Sequence, residues 1–185
     1  MKGATVAARR LGRRRFLGLT AAAAGCLVAP AVTRAAATPE RALSFYNVHT
    51  GESLRRVYWA GGRYVDGALA EIDHLLRDFR TGEIKPIDRD LLDLLHRVNA
   101  ILETEQPFTV ISGYRSPETN AMLAGRNRGV ARNSYHVHGM AIDLRVPERA
   151  TADIRRVALD LAGGGVGYYP KSDFVHLDTG PVRRW

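Results

Sequence analysis

Three side chains in the last third of the 185-residue chain have the types a transition metal selects: His136, Asp143 and His176. A catalytic zinc site takes imidazole nitrogens and a carboxylate oxygen from separate places in the chain and keeps one coordination position free for water. Strand alternation over residues 140–146 puts Met140, Ile142, Leu144 and Val146 on one apolar face, and Ala141, Asp143 and Arg145 on the other. Asp143 is therefore expected to face away from the core. Over residues 174–178 the same rule places Val175 and Leu177 on one face, with His176 and Asp178 opposite. His136 precedes the first of these strands, in a loop ending at Gly139. Singly, these are an exposed loop histidine, an aspartate on a polar strand face and a histidine on a half-buried strand. Together they form a facial set with room for a fourth ligand. Ser134 lies close enough in sequence to suggest a serine triad, but a metal would consume both of its partners.

The elements that must carry this set are legible from periodicity. Residues 43–59 read as two short strands around Thr50 and Gly51, and Gly61 and Gly62 end that unit. Leu69, Ile72, Leu75, Leu76 and Phe79 recur at helical spacing, and so do Leu91, Leu94, Leu95, Val98, Ile101 and Leu102. The period then changes to two at Phe108, Val110 and Ser112, which predicts a strand. Ser116 is expected to cap a short helix that has Pro117 in its first turn and Gly125 at its end. A strand over 140–146 follows, then a helix over 151–162 capped by Thr151 and stopped by Gly163, Gly164 and Gly165. Strands over 166–169 and 174–178 complete the chain. The expected fold is α+β, a small and mostly antiparallel sheet flanked by helices.

Ser134, His136, Gly139, Ala141 and Asp143 stand at the spacing Ser-x-His-x-x-Gly-x-Ala-x-Asp, which resembles the signature of the zinc D-alanyl-D-alanine peptidases. Upstream Ser112, Gly113, Tyr114, Arg115, Ser116 and Pro117 resemble the YcbK-type murein endopeptidase branch of that family. So do residues 165–170 and 174–185 downstream. The resemblance spans about residues 40–185. It implies a zinc hydrolase of peptide cross-links in bacterial peptidoglycan, one zinc ion per chain, and His136, Asp143 and His176 as ligands. It also implies the fold shared by lysostaphin-like enzymes and hedgehog domains.

Such a hydrolase needs a carboxylate that takes the proton of the attacking water and returns it to the leaving amine. The family places an acid three residues before the last histidine, which here is Asp173, and this is the preferred base. Asp178 shares the His176 face and is the alternative base, or else the residue that orients a ligand. By the same resemblance Arg115 would bind the scissile carbonyl oxygen or a substrate carboxylate, in the company of Ser112 and Asn120. Tyr168 and Tyr169 are candidate walls of the cleft, and His138 occupies no ligand position in the pattern. Arg126, Arg128 and Arg132 form an acid-free stretch that would meet peptidoglycan carboxylates or simply be solvated.

The chain is 45% apolar and 25% charged, within the globular range, and its formal charge is +8. Seven of the 27 basic residues lie in residues 1–37, which hold no acid, so the remaining 20 face 19 acids. A nucleic-acid partner is not expected of so neutral a remainder. Residues 1–37 have the layout of an export signal: a basic stretch, an apolar run over 16–32 interrupted by Gly18, Gly25 and Pro30, then small residues up to Ala37. Arg13 and Arg14 before Phe16 and Leu17 resemble the twin-arginine signal read by the Tat export machinery. Residues 38–185 are then the mature peptidase domain, periplasmic and without a membrane span. Cys26, the one cysteine, loosely resembles a lipoprotein processing site, but Ala23 stands where such sites usually have Leu. Two other readings fit the same resemblance, a D,D-carboxypeptidase and a non-catalytic zinc or cell-wall binding module.

Overall fold

The structure, a computed structural model, describes residues 39–126 and 129–185. The expected export signal, with Cys26, and Arg128 lie outside the described residues. No helix among the described residues is long and apolar enough to cross a membrane.

Among the described residues eight strands form one sheet in the order β3-β2-β1-β4-β5-β7-β6-β8. They are β1 (Arg41–Asn47), β2 (Ser53–Ala60), β3 (Arg63–Tyr64), β4 (Phe108–Ser112), β5 (Ala141–Arg145), β6 (Gly165–Tyr169), β7 (Phe174–Asp178) and β8 (Arg183–Arg184). Only β1 with β4 and β6 with β8 run parallel, so the sheet is mostly antiparallel, as expected of an α+β fold. Gly61 and Gly62, at φ 59° and 79°, do not end the first unit but turn it into a hairpin, because both central positions of such a turn need positive φ.

Helices α1 (Asp66–Leu75), α2 (Arg89–Leu102) and α4 (Thr151–Leu161) pack on the sheet, α1 against β2, α2 against β1, and α4 against β6 and β7. The Asp88 side chain caps α2 by accepting from Asp90 N at 3.2 Å. Below it Leu91, Leu92, Leu95 and Val98 are fully buried, each contributing about 1.5–3 kcal/mol. Ile142 and Leu144 of β5 and Val175 and Leu177 of β7 complete this core. The alternate residues of β5 and β7, Asp143 and His176, therefore face the opposite side.

Several local expectations are corrected. Ile101 is 54% exposed, since at 100° per residue it lies about 80° away from the line through Leu91 and Leu102. Helix α3 (Pro117–Arg126) is capped by Ser116 Oγ, which accepts from Thr119 N at 3.1 Å, but it runs through Gly125. Thr151 is buried as the first residue of α4 and makes no cap, a position Ala150 takes with extended backbone. Ala162, at φ 48°, ends α4 in place of a glycine. Residues 163–165 are glycines for another reason: a Cβ on Gly163 would lie 2.7 Å from Leu94, and one on Gly165 would lie 2.5 Å from Arg183 and Asp178. The face of β5 turned from the core is not solvated either, since Ala141 and Asp143 are both buried.

Candidate metal centre

Adjacent antiparallel strands bring two of the three candidate ligands together, because Asp143 of β5 is the register partner of His176 of β7. His136 reaches them from a single 3-10 turn, Tyr135–His138. Ser134 caps that turn, its Oγ accepting from His136 N at 3.4 Å, and Gly139 closes it at φ 69°. The Ser134 hydroxyl is thus a cap.

The imidazole partners define which nitrogens remain available. His136 Nδ1 lies 2.7 Å from the Gly113 carbonyl, and His176 Nε2 lies 2.9 Å from Asp178 Oδ2. Both partners accept, so in the neutral rings these nitrogens donate and the inner ones carry lone pairs. His136 Nε2 and His176 Nδ1 are then 3.2 Å apart, at 3.2 and 2.8 Å from Asp143 Oδ1. Three lone pairs converging within 4.8 Å of one another repel unless a cation or a proton stands between them. The donor set, two imidazoles and one carboxylate with an open side, fits zinc.

The electrostatics agree. Burial pushes His136 below the usual imidazole range. Burial would raise Asp143, but His136, His176 and Arg115 outweigh it and hold the carboxyl well below the usual range. In His176 burial is outweighed by Asp143 and Asp178, which raise it. Asp178, 0% exposed, is likewise held low against its burial by His176 and Arg183.

Arg115 leaves the end of β4 and turns onto the cluster. Its Nη2 pairs with Asp143 Oδ2, its Nε donates to Ser112 Oγ at 2.8 Å, and its backbone N–H donates to the His136 carbonyl at 3.2 Å. A cavity of about 590 Å³ opens over the three candidate ligands, walled by Arg115, Tyr135, Tyr169, Phe174, Arg183 and Trp185.

The remaining expected residues are placed as follows. Asp173 sits at the rim beside the cavity-lining Ser172 and Phe174, at φ 52°, with its carboxylate 3.3 Å from Arg145 and 65% exposed. Asn120 does not line the cavity: its amide donates to the carbonyls of Ala131 and Arg132, tying down the loop that does. Tyr168 packs toward the core, with Arg155 over its ring, and Tyr169 lines the cavity instead. The register explains this correction, because Gly167 pairs with His176, so residues 167 and 169 share its face and Tyr168 does not. His138 is exposed, 3.4 Å from Asn133, outside the cluster.

Three contributors were given no role by the sequence reading. Asp78 accepts from Ser116 N at 2.8 Å and Arg80 N at 3.0 Å, anchoring the loop that bears Arg115; its one hint is an acid set among Leu75, Leu76 and Phe79. The Trp185 and His176 ring centroids are 5.3 Å apart, and the indole lies against Gly167, where a Cβ would meet it at 2.7 Å. Arg183 forks onto Asp178.

A convergent donor set, open on one side and flanked by a guanidinium, is the equipment of a hydrolytic metal centre. The chain belongs to the family described as peptidoglycan L,D-endopeptidase MepK, which it matches over residues 35–185. It is 45% identical over 175 residues to the peptidoglycan L,D-endopeptidase MepK of Escherichia coli (strain K12), covering 94% of this chain and 96% of that one. The Shigella flexneri protein of the same description matches with the same figures. A probable peptidoglycan L,D-endopeptidase MepK of Haemophilus influenzae is 39% identical over 176 residues, 94% of this chain and 95% of its own. The resemblance to the murein endopeptidase branch is thereby confirmed.

Proposed function

We propose that this chain is a zinc-dependent endopeptidase that hydrolyses L,D peptide cross-links in bacterial peptidoglycan. The observation that carries the reading is the convergence of His136 Nε2, Asp143 Oδ1 and His176 Nδ1 on one point beneath an open cavity. Zinc held there would polarise the scissile carbonyl and bring the pKa of a water toward about 7.

The chain's own groups would do the rest. Arg115, pinned on Ser112 and Asp143 at the cavity wall, is placed to hydrogen-bond a substrate carbonyl oxygen or carboxylate; Ser112 acts through it. Asp143 lines the cavity, Asp173 stands between the lining residues Ser172 and Phe174, and Asp178 lies on β7 behind His176. Asp143 is a candidate ligand and Asp178 is enclosed by donors, which leaves Asp173 to accept the water's proton and pass it to the leaving amine. Its pair with Arg145 is exposed and weak, so turning inward costs little. The relatives' names concern peptidoglycan, and residues 1–37 supply a route to it through the Tat machinery into the periplasm.

Incubating residues 38–185 with purified sacculi, with and without chelator, tests the reading. Expected are severed cross-links, suppressed by chelation and restored by zinc. Loss of only a terminal stem residue would identify a carboxypeptidase, and binding without cleavage a cell-wall binding module.

A further inference from the structure

The Asp178 carboxylate collects five donors. Oδ2 accepts from His176 Nε2 at 2.9 Å and Arg183 Nη2 at 2.7 Å, and Oδ1 accepts from Arg183 Nη1 at 3.0 Å, Gly180 N at 2.9 Å and Gly165 N at 3.1 Å. Two of the five come from one guanidinium, whose fork fixes the carboxylate plane as well as its charge. That guanidinium is itself held. Its central carbon lies 5.0 Å from the ring centroids of both Tyr135 and Trp185, and Nη1 also donates to the Pro181 carbonyl at 3.1 Å. Strand β8 delivers it by pairing Arg183 with Gly165, where a side chain would collide with both Arg183 and Asp178.

We propose that Arg183 is a positioning residue of the metal centre, fixing the His176 ring through Asp178 so that Nδ1 points at Asp143. The inference rests on the zinc reading above. A histidine ligand is oriented by what its other nitrogen bonds, and a carboxylate free to rotate orients nothing. Removing Arg183 leaves Asp178 with its two backbone donors on Oδ1 alone, so the Oδ2 that holds His176 loses its brace. Arg183 also borders the cavity and its side chain is 39% exposed, so direct capture of a substrate carboxylate is the competing role.

Zinc affinity, read by competition with a chromophoric chelator, separates them for the wild type, Arg183→Ala, Arg183→Lys, Asp178→Asn and the Arg183→Ala/Asp178→Asn double variant. Thermal melts of the metal-free proteins control for folding. Arg183→Ala is expected to weaken zinc about tenfold, the lower end for such outer partners. Arg183→Lys, with charge but no fork, should fall between. Because Arg183 acts through Asp178, Arg183→Ala should cost nothing more in the Asp178→Asn background. Should Arg183→Ala not fold, Arg183→Lys against the wild type and in the Asp178→Asn background carries the same comparison. Wild-type zinc affinity in the folded Arg183 variants, with only KM raised, overturns the inference and assigns substrate capture; additive losses in the double variant overturn it too. A wild-type chain that takes up no zinc overturns the metal reading itself.

Discussion

His176 and Asp178 face each other on one side of β7, Nε2 to Oδ2 at 2.9 Å, and this contact leaves His176 only Nδ1 for a metal. Two residues apart on a strand, they share a face by pleating alone. Asp178→Asn should therefore act on the metal: zinc affinity falls about 10- to 100-fold, and turnover lost at limiting zinc returns at excess. Competition titrations and sacculus digestion at two zinc concentrations measure both. Full zinc affinity with no turnover would make Asp178 the proton acceptor.

Asp173→Asn should do the reverse, keeping zinc while turnover drops about 10²- to 10⁴-fold, the usual worth of a general base. Its thermal melt should match the wild type, since the Arg145 pair is solvent-exposed. Normal digestion by a fully metallated Asp173→Asn protein removes the assignment.

In the metal-free domain the His176 pKa is raised because Asp143 and Asp178 outweigh the cost of burial, so below that raised value its inner nitrogen carries a proton that zinc must displace. Zinc uptake should release protons and weaken as pH falls through that raised value. A raised folded pKa stabilises below the unfolded value of about 6.5 and loses that contribution as pH rises through the folded one. The gap in melting temperature between zinc-bound and zinc-free protein should then widen with pH above about 6.5. A gap independent of pH contradicts this.

Gly113 leaves no room for a side chain, since a Cβ would stand 2.5 Å from the Leu76 carbonyl oxygen, a backbone atom that Tyr114 N also uses at 2.8 Å. Gly113→Ala should cost about 1–3 kcal/mol in a urea midpoint, as overpacking does. It should lower zinc affinity as well, because the Gly113 carbonyl holds His136 Nδ1. Unchanged stability and affinity would show that the loop can yield.

Replacing Arg13 and Arg14 by lysine preserves charge but not the guanidinium, and should abolish periplasmic yield if the Tat receptor reads arginine itself. Fractionation decides it, with undiminished yield pointing to an ordinary secretory route.

The candidate ligand cluster was legible because its geometry is local to strands: alternation turns Asp143 and His176 off the core face whatever the partners are. Tyr168 was assigned to the wrong side because parity alone does not say which face of β6 meets the cavity; the pairing of Gly167 with His176 does. Arg183 and Trp185 lay inside the resembling stretch, but no role could be read for them, for a related reason. A two-residue strand has no period to detect, and its value lies in pairing with β6. Asp78 works through backbone donors distant in sequence, and Ala162 ends α4 at a positive φ where a glycine beside it was the more natural expectation.

The sheet order has a consequence for when the protein becomes active. Strand β7 lies between β5 and β6, although it follows both in sequence. A chain emerging from the ribosome thus presents His136 and Asp143 before His176, and it cannot complete the candidate cluster until β7 pairs with both neighbours. A product truncated before β7 lacks His176, the third candidate ligand. Completing the candidate centre therefore depends on nearly the whole chain rather than on one local segment.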